Sequence, residues 1–261
     1  MSTAEPVLRH DLALPAGWRL IAFETVGSTN DEAMQRADRG AEEGTVVWAR
    51  RQVSGRGRRG RVWQSPEGNL YSSIVVRPDS SAEVAAQLSF VTALAVGDTV
   101  AAHAPAGPRI GFKWPNDVQV DGAKIAGILL ESAVGPSGQV RQVVVGTGIN
   151  VGWRPAPGET PYPATSLAAL GGEGALEPVL QTYCAAMARW IARWRQAGFA
   201  PIREAWLARA GNIGQMIEVK TGRDVLKGRF AQLDETGALI LEDSEGRTTR
   251  VTAGEIFPVA A

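Results

Sequence analysis

The spacing of apolar and polar positions divides the chain into two parts. In the first part, short runs rich in β-branched and aromatic residues alternate with longer stretches of helical periodicity. Helical spacing predicts helices over 30–39, from Ser80 to before Pro105, over 178–197 and over 201–209. The strand-like runs are 18–24, 45–49, 69–77, 109–113, 125–130 and 139–146. Short turns between the later strands predict antiparallel pairing there.

Near residue 211 the pattern changes to short strands separated by glycine-containing turns. The strand-like runs are 217–220, 225–233, 238–242 and 247–252. About fifty residues of strands and tight turns are typical of a small barrel. We therefore predict two domains, one over residues 1–211 and a barrel-like one over residues 212–261.

Composition narrows the class of protein. The 261 residues carry 27 basic and 27 acidic side chains, and this balance argues against a general nucleic-acid or membrane-surface binder. Cys184 is the single cysteine, so no disulfide forms within the chain, which fits a reducing, cytoplasmic compartment. It lies on the apolar stripe of the helix predicted over 178–197, where we expect a core thiol. The apolar run 84–102 is interrupted by polar residues and is interpreted as a buried helix rather than a membrane span.

A basic loop stands out against this neutral background. Residues 55–61 read GRGRRGR, with four arginines and three glycines in seven positions. Glycine allows the backbone to approach a ligand closely, and arginine offers planar donors that suit phosphate and carboxylate. The loop therefore closes on an anionic ligand, or it is a solvated basic loop or a nucleic-acid patch. It also matches G-x-G-x-x-G, but no helix follows, so a dinucleotide-binding fold is not favoured.

The remaining candidates favour charge-based chemistry. There are only two histidines, and neither lies in a zinc or triad pattern. The chain has four lysines against 23 arginines, which suggests that lysine is kept where a compact ammonium matters. Lys124 either extends along an inner face of the sheet or points into water. Asn116 and Asp117 bind Mg²⁺ or a purine, or they form the turn after Pro115. Thr29 and Glu32 have capping-box spacing, so Thr29 either caps a helix or binds a polar head group.

Four motifs in fixed order give a more specific indication. They are GRGRRGR at 55–61, KWPND at 113–117, KIAGIL at 124–129 and GTGINV at 146–151. Together with Ser28-Thr29-Asn30 and 164–167, this ordered set closely resembles the biotin protein ligases. The resemblance runs from about residue 18 to Phe257. It implies an α+β fold in which a mixed, largely antiparallel sheet is flanked by helices, related to class II aminoacyl-tRNA synthetases. It also implies a small SH3-like C-terminal barrel.

The resemblance implies a two-step reaction and a set of site residues. Biotin and ATP give biotinyl-5′-AMP and pyrophosphate, and a lysine of a biotin carboxyl carrier protein then displaces AMP. Arg58 and Lys124 are the expected catalytic residues. The biotin site is expected to comprise Ser28, Thr29, Asn30, Gln52, Gly55, Arg56, Arg58, Lys124 and Gly127. The nucleotide site is expected to comprise Arg58, Arg59, Arg61, Trp63, Lys113, Asn116, Asp117 and Asn150.

Partners follow from the same resemblance. Mg²⁺ is expected to be carried mainly by the ATP phosphates, with no certain protein ligand. Some relatives carry an N-terminal DNA-binding domain, but only about seventeen residues precede the first predicted strand. We therefore expect a monofunctional ligase without a DNA or membrane partner, and a homodimer is compatible with the sequence. The rivals are a lipoate ligase, whose motifs differ, a nucleic-acid module, and a silent biotin-binding protein that would not need Lys124.

The basic loop provides a first test. Residues 52–63 are expected to be mobile without ligand and ordered with the adenylate, because a closing lid protects a reactive anhydride from water. Limited proteolysis should show slower cleavage in this segment when biotin and MgATP are both present. Equal cleavage rates in the two states would contradict the lid.

Overall fold

The first part of the chain forms one mixed sheet. The computed structural model describes residues 12–135 and 138–258. The strands are β1 (Arg19–Val26), β2 (Thr45–Gln52), β3 (Leu70–Val76), β4 (Ile110–Lys113), β5 (Asp117–Val120), β6 (Ala123–Val134) and β7 (Val140–Ile149). They are ordered β1-β2-β3-β7-β6-β5-β4. β1 and β2 are parallel, whereas the other neighbours are antiparallel, which confirms the prediction from the turns.

Helices cover this sheet. They are α1 (Thr29–Asp38), α2 (Ala82–Ala86), α3 (Leu88–His103), α4 (Leu176–Ala197) and α5 (Ala200–Leu207). Within the described residues, the segment Ala82–His103 is long and apolar enough to cross a membrane, but 78% of its most apolar window is buried inside the protein. It is the core helix expected from its interrupted apolar run. Cys184 of α4 is fully buried, and burial raises the pKa of its thiol to about 12, so it is the expected core residue.

The second part of the chain forms a separate antiparallel sheet. Its strands are β8 (Met216–Lys220), β9 (Val225–Leu233), β10 (Leu239–Glu242), β11 (Thr248–Val251) and β12 (Glu255–Pro258), in the order β11-β10-β9-β8-β12. The short β12 was not predicted from the sequence pattern. Trp114 joins the two sheets, since its buried indole donates to the Gly237 carbonyl (3.1 Å).

Two predicted helix starts were wrong in detail. α1 is capped at Ser28 without a side-chain bond, and the Thr29 hydroxyl instead lies 3.1 Å from Oε1 of Gln52 on β2. Thr29 is therefore drawn into tertiary contacts and does not form the predicted capping box. The apolar helix begins after Ser81, not Ser80, because the Ser81 hydroxyl accepts from the Val84 N–H (3.3 Å).

The aromatic centre of the core gives a stability prediction. Trp206 is 1% exposed, with its ring centroid 5.4 Å from that of Phe90 and 6.0 Å from that of Phe112. Trp206→Ala is expected to lower the free energy of unfolding by about 3–5 kcal/mol through lost burial and a residual cavity. Urea unfolding measures this change. Glu204→Ala, an exposed substitution on the same helix, should stay within about 0.5 kcal/mol of the parent. Similar losses in both variants would contradict a core role for Trp206.

Candidate functional site

A cleft of about 410 Å³ lies where α1, the basic loop and the ends of several strands meet. Its size is that of a small-molecule site. The structure brings most of the sequence-predicted residues to its walls, namely Ser28, Thr29, Asn30, Gln52, Arg56, Arg58, Arg61, Trp63, Lys113, Asn116, Asp117, Lys124, Gly127 and Asn150. Gly55 lies just behind the wall, where a Cβ would clash with Ser65. Arg59 is not among the described residues that line the cleft, and its guanidinium donates to the Lys220 carbonyl (3.4 Å).

Glycines on two adjacent strands make room for the Trp63 indole. Gly127 of β6 and Gly148 of β7 are paired across the sheet. A Cβ at Gly127 would lie 3.0 Å from the indole, and one at Gly148 would lie 2.6 Å from its Nε1. Any larger side chain would displace the ring. The buried Nε1 finds no hydrogen-bond acceptor among residues 12–135 and 138–258.

One end of the cleft is polar and uncharged. Gln52 ends β2, and its Oε1 accepts from the Thr29 N–H (2.8 Å) at the start of α1. Its Nε2 donates to the Ser65 hydroxyl (3.0 Å). The parallel ladder of β1 and β2 continues past their ends through Val53 N–H to Val26 O, so it places α1 and the loop side by side. This end can exchange hydrogen bonds with a neutral polar head group.

A second part of the cleft is cationic. The Lys124 ammonium enters the cleft, where it meets Oδ1 of Asp117 at 2.6 Å and lies 5.2 Å from the Trp63 ring centroid. The Arg58 guanidinium donates to Oδ1 of Asn116 (3.2 Å) and to the Gly254 carbonyl (3.3 Å). Burial and the neighbouring Arg59 lower the pKa of Arg58. Lys124 therefore takes the inward position of the two that its sequence left open.

Lys113 is held by aromatic rings rather than by a close carboxylate. Its side chain is 5% exposed, and its Nζ lies 3.5 Å from the Tyr162 ring centroid and 5.6 Å from that of Phe257. Cation–π contact favours the ammonium. Burial is the larger influence, and it lowers the pKa of Lys113 to about 8. The cleft thus contains a desolvated cation.

The second domain completes the site. Glu255 on β12 accepts two bonds from Arg61 (2.8 and 2.9 Å) and one from the Tyr162 hydroxyl (3.0 Å). Burial opposes ionisation here, but the bonds from Arg61 and Tyr162 lower the pKa of Glu255 overall. Sequence reasoning missed both Tyr162 and Glu255 as site residues. Tyr162 lies outside every predicted helix and strand, and Glu255 lies beyond the last predicted strand, 247–252.

Two predicted ligand contacts have internal partners. The Arg56 guanidinium forms a bidentate pair with Asp31 (2.7 and 2.6 Å), and this pairing raises the pKa of Arg56. The Asn150 amide donates to the Thr165 carbonyl (2.9 Å) and accepts from Asn69 (3.3 Å). Both residues line the cleft, but these polar atoms also fix the surrounding backbone.

Comparison with known proteins gives this geometry a family. The model of the biotin/lipoate A/B protein ligase family matches residues 22–150, and that of the biotin protein ligase C-terminal domain matches residues 213–257. Over 234 residues the chain is 44% identical to a biotin–[acetyl-CoA-carboxylase] ligase of Paracoccus denitrificans, covering 88% of this chain and 96% of that protein. The chain belongs to the biotin protein ligase family.

Two further relatives agree with the assignment. A biotin–[acetyl-CoA-carboxylase] ligase of Mycobacterium tuberculosis is 36% identical over 249 residues, 92% of this ligase and 90% of that one. The solved biotin protein ligase of Aquifex aeolicus, in complex with biotin and ATP, superimposes with a TM-score of 0.79 at 27% identity. The superposition covers 93% of this chain and 99% of the Aquifex aeolicus chain. The expected fold, a mixed sheet with helices followed by an SH3-like domain, is thereby confirmed.

Lys113 makes the ligase less stable than it could be. Lys113→Met is expected to raise the free energy of unfolding at pH 7 by roughly 1–3 kcal/mol, because it removes a buried charge while sacrificing a cation–π contact. Between a folded pKa of about 8 and an ordinary value of 10.5, the unfolded chain binds the extra proton. The stability of the parent therefore rises with pH in this window, and the advantage of the variant shrinks.

Urea unfolding at pH 7 and pH 10 measures both effects. Lys227→Met is the matched control, because that lysine is 62% exposed and pairs with Glu218 at 2.7 Å. It should change stability by no more than about 0.5 kcal/mol. If Lys113→Met is less stable than the parent at pH 7, attraction to the rings outweighs desolvation and the interpretation is wrong.

Proposed function

We propose that this cleft carries out both half-reactions of biotin ligation, the ATP-dependent activity that family membership gives to the chain. The observation that carries the assignment of roles is the polarity of the cleft. One cleft has a neutral hydrogen-bonding end at Thr29 and Gln52 and a cationic end at Lys124 and Arg58. Biotin has the same polarity, with a neutral ureido head and a carboxylate tail.

The uncharged end is proposed to hold the biotin head. Thr29 and Gln52 present donors and acceptors there, and both lie in the wall of the cleft. The fused rings of biotin would lie near Gly127, which is in the wall of the cleft and has the Trp63 indole over it. Gly55 and Arg56 would close over the ring from the loop. The full set assigned to biotin is Ser28, Thr29, Asn30, Gln52, Gly55, Arg56, Arg58, Lys124 and Gly127.

The cationic end is proposed to activate the carboxylate. An oxygen of the biotin carboxylate attacks the α-phosphorus of ATP, the bond from that phosphorus to the bridging oxygen breaks, and pyrophosphate leaves. Lys124 and Arg58 would stabilise the charge on the phosphate by position and electrostatics, without a protein nucleophile. No histidine or cysteine of the described residues lines the cleft, in keeping with that chemistry.

The nucleotide is proposed to extend past Trp63 towards the second domain. Trp63, which lines the cleft, would stack near adenine. Lys113 and Arg61 would face the phosphates, and Asn150 would shape the pocket. The full set assigned to the nucleotide is Arg58, Arg59, Arg61, Trp63, Lys113, Asn116, Asp117 and Asn150.

Magnesium is proposed to arrive with the nucleotide as MgATP. Within the described ranges, no three His, Cys, Asp or Glu side chains are grouped so as to hold a metal ion. Asp117, which had been a candidate ligand, is engaged by Lys124 (2.6 Å). Oxygen atoms of the phosphates are the ligands that Mg²⁺ commonly takes in such sites.

The second half-reaction requires a protein partner that accepts biotin. The amine of a carrier lysine attacks the carbonyl carbon of biotinyl-5′-AMP, the bond to the phosphate oxygen breaks, and AMP leaves as the nitrogen loses a proton to solvent. A biotin carboxyl carrier domain in the cytoplasm is the proposed partner, and a homodimer is compatible with the site. We do not expect DNA as a partner, because carboxylates of the protein already pair with Arg56 and Arg61.

One assay separates this function from its rivals. Biotin-dependent exchange between ATP and labelled pyrophosphate reports the first half-reaction, and transfer of biotin to a carrier domain reports the second. Exchange with lipoate and none with biotin would make the chain a lipoate ligase. Biotin binding without exchange would make it a binding protein.

Arg58→Lys is expected to lower kcat/KM for exchange by roughly 10- to 100-fold, the loss associated with one or two charge-assisted hydrogen bonds. The shorter, non-planar ammonium cannot contact Asn116, Gly254 and a phosphate together. Arg39→Lys, an exposed change at the end of α1, is the matched control and should leave exchange unaltered. Exchange at the parental rate in Arg58→Lys would remove Arg58 from the phosphate site.

A further inference from the structure

Both ends of the basic loop are tied to the body of the protein. At its start, the Arg56 guanidinium pairs with Asp31 and lies 3.3 Å from Oε1 of Glu131 on β6. At its end, the carbonyl of Trp63 accepts from the Ser65 hydroxyl (2.8 Å), which in turn accepts from Gln52. The segment that contains the loop is therefore held at Arg56 and again at Trp63.

A buried chain of hydrogen bonds connects these anchors. Oε2 of Glu131 accepts from Nδ2 of Asn30 (2.6 Å). The Ser73 hydroxyl lies 2.6 Å from Oδ1 of Asn30 and 2.8 Å from Oγ1 of Thr29, and it donates to one of them at a time. Thr29 then meets Oε1 of Gln52 at 3.1 Å. The route from Gln52 to Arg56 thus passes through the end of the cleft assigned to the biotin head.

The middle of this route is buried. Asn30 is 4% exposed and Ser73 is fully buried. Asn30 packs directly over Gly146 of β7, where a Cβ would overlap its amide. The amide oxygen of Asn30 lies towards Ser73, and its nitrogen donates to Glu131.

At the outer end of the route, the ion pair between Arg56 and Asp31 contributes little stability unless Glu131 also contacts Arg56. The side chains of Arg56 and Asp31 are 36% and 49% exposed, and an ion pair this exposed to water contributes little by itself. Glu131 is 35% exposed, but the buried Asn30 amide fixes its orientation. The second carboxylate turns a solvated pair into an ordered network.

We propose that Glu131 is a positioning residue that couples occupancy of the Thr29–Gln52 end of the cleft to closure of the loop at Arg56. The proposal rests on the assignment of biotin to that end. A head group bound at Thr29 and Gln52 restrains Ser73 and Asn30, and Asn30 then holds Glu131 in register with the arginine. Glu131 touches no substrate and acts through Arg56.

The test compares substitutions of Glu131, which break the hydrogen-bond route, with Asp31→Asn, which weakens only the ion pair with Arg56. Trypsin cleaves after the arginines of the loop, so the cleavage rate there without biotin, divided by the rate at saturating biotin, measures coupling. Glu131→Ala should bring this ratio close to one and raise the Kd for biotin about tenfold by calorimetry. Glu131→Gln keeps the shape of the side chain and an acceptor for Asn30. Its cleavage ratio and its Kd for biotin should lie between those of the parent and those of Glu131→Ala. Asp31→Asn should speed cleavage in both states and preserve the ratio.

Control and contrary outcomes are distinct. Glu42→Gln, which weakens an exposed pair with Arg19 (3.1 Å), should match the parent in ratio, Kd and Tm. A parental ratio in Glu131→Ala would make Glu131 a plain surface ion pair and overturn the coupling. Equal loss of the ratio in Asp31→Asn would overturn the route through Asn30. Failure of the parent itself to bind biotin would instead overturn the proposed function, and this inference with it.

Discussion

Repulsion among positive charges gathered around one cleft is the constraint on which the rest of the structure depends. Lys113, Lys124 and Arg58 converge there in partly desolvated positions, and such groups remain charged only beside opposite charge or polarisable rings. Each carboxylate that balances them, or balances the basic loop, comes from a different element. They are Asp31 of α1, Asp117 of β5, Glu131 of β6 and Glu255 of β12.

This distribution makes the loop a product of tertiary structure. Four arginines in seven residues would repel one another in an isolated peptide. In the folded protein, Arg56 is drawn to α1 and β6, and Arg61 is drawn to the second domain. The second domain therefore contributes to the cleft, since Glu255 lines it and also holds Tyr162, whose ring covers Lys113. Carboxylates on regular secondary structure hold the arginines of a loop more accurately than residues on another loop would.

Several site groups are poorly satisfied without a ligand. Lys113 has a pKa lowered to about 8 by burial, and the Trp63 indole N–H has no acceptor within the described residues. Local features that lower stability in this way are common at functional sites. Gly127 and Gly148 also lack side chains that could pack in the core, and this makes room for the planar indole of Trp63.

Much of this molecule follows from local sequence. Alternating apolar positions and glycine turns predicted most strands, and the antiparallel order after Pro105 followed from short connections. The ordered motifs indicated the family and most of the wall of the cleft. Local pattern failed at Thr29, where a capping role lost to contacts with Gln52 and Ser73. It could not decide whether Lys124 faced water or the cleft, because an exposed and an inward lysine have the same neighbours in sequence.

Only the tertiary structure decided which charges meet. Arg61 and Glu255 are separated by 194 positions, and Asn30 and Glu131 by 101. No periodicity encodes such pairs, since they depend on how two sheets and a helix are placed against one another. The sequence by itself determined the chemical inventory, an arginine- and glycine-rich loop with lysines and amides and without a nucleophile motif. Folding determined the partners, because the strength of a charge depends on the distance and burial of its neighbours.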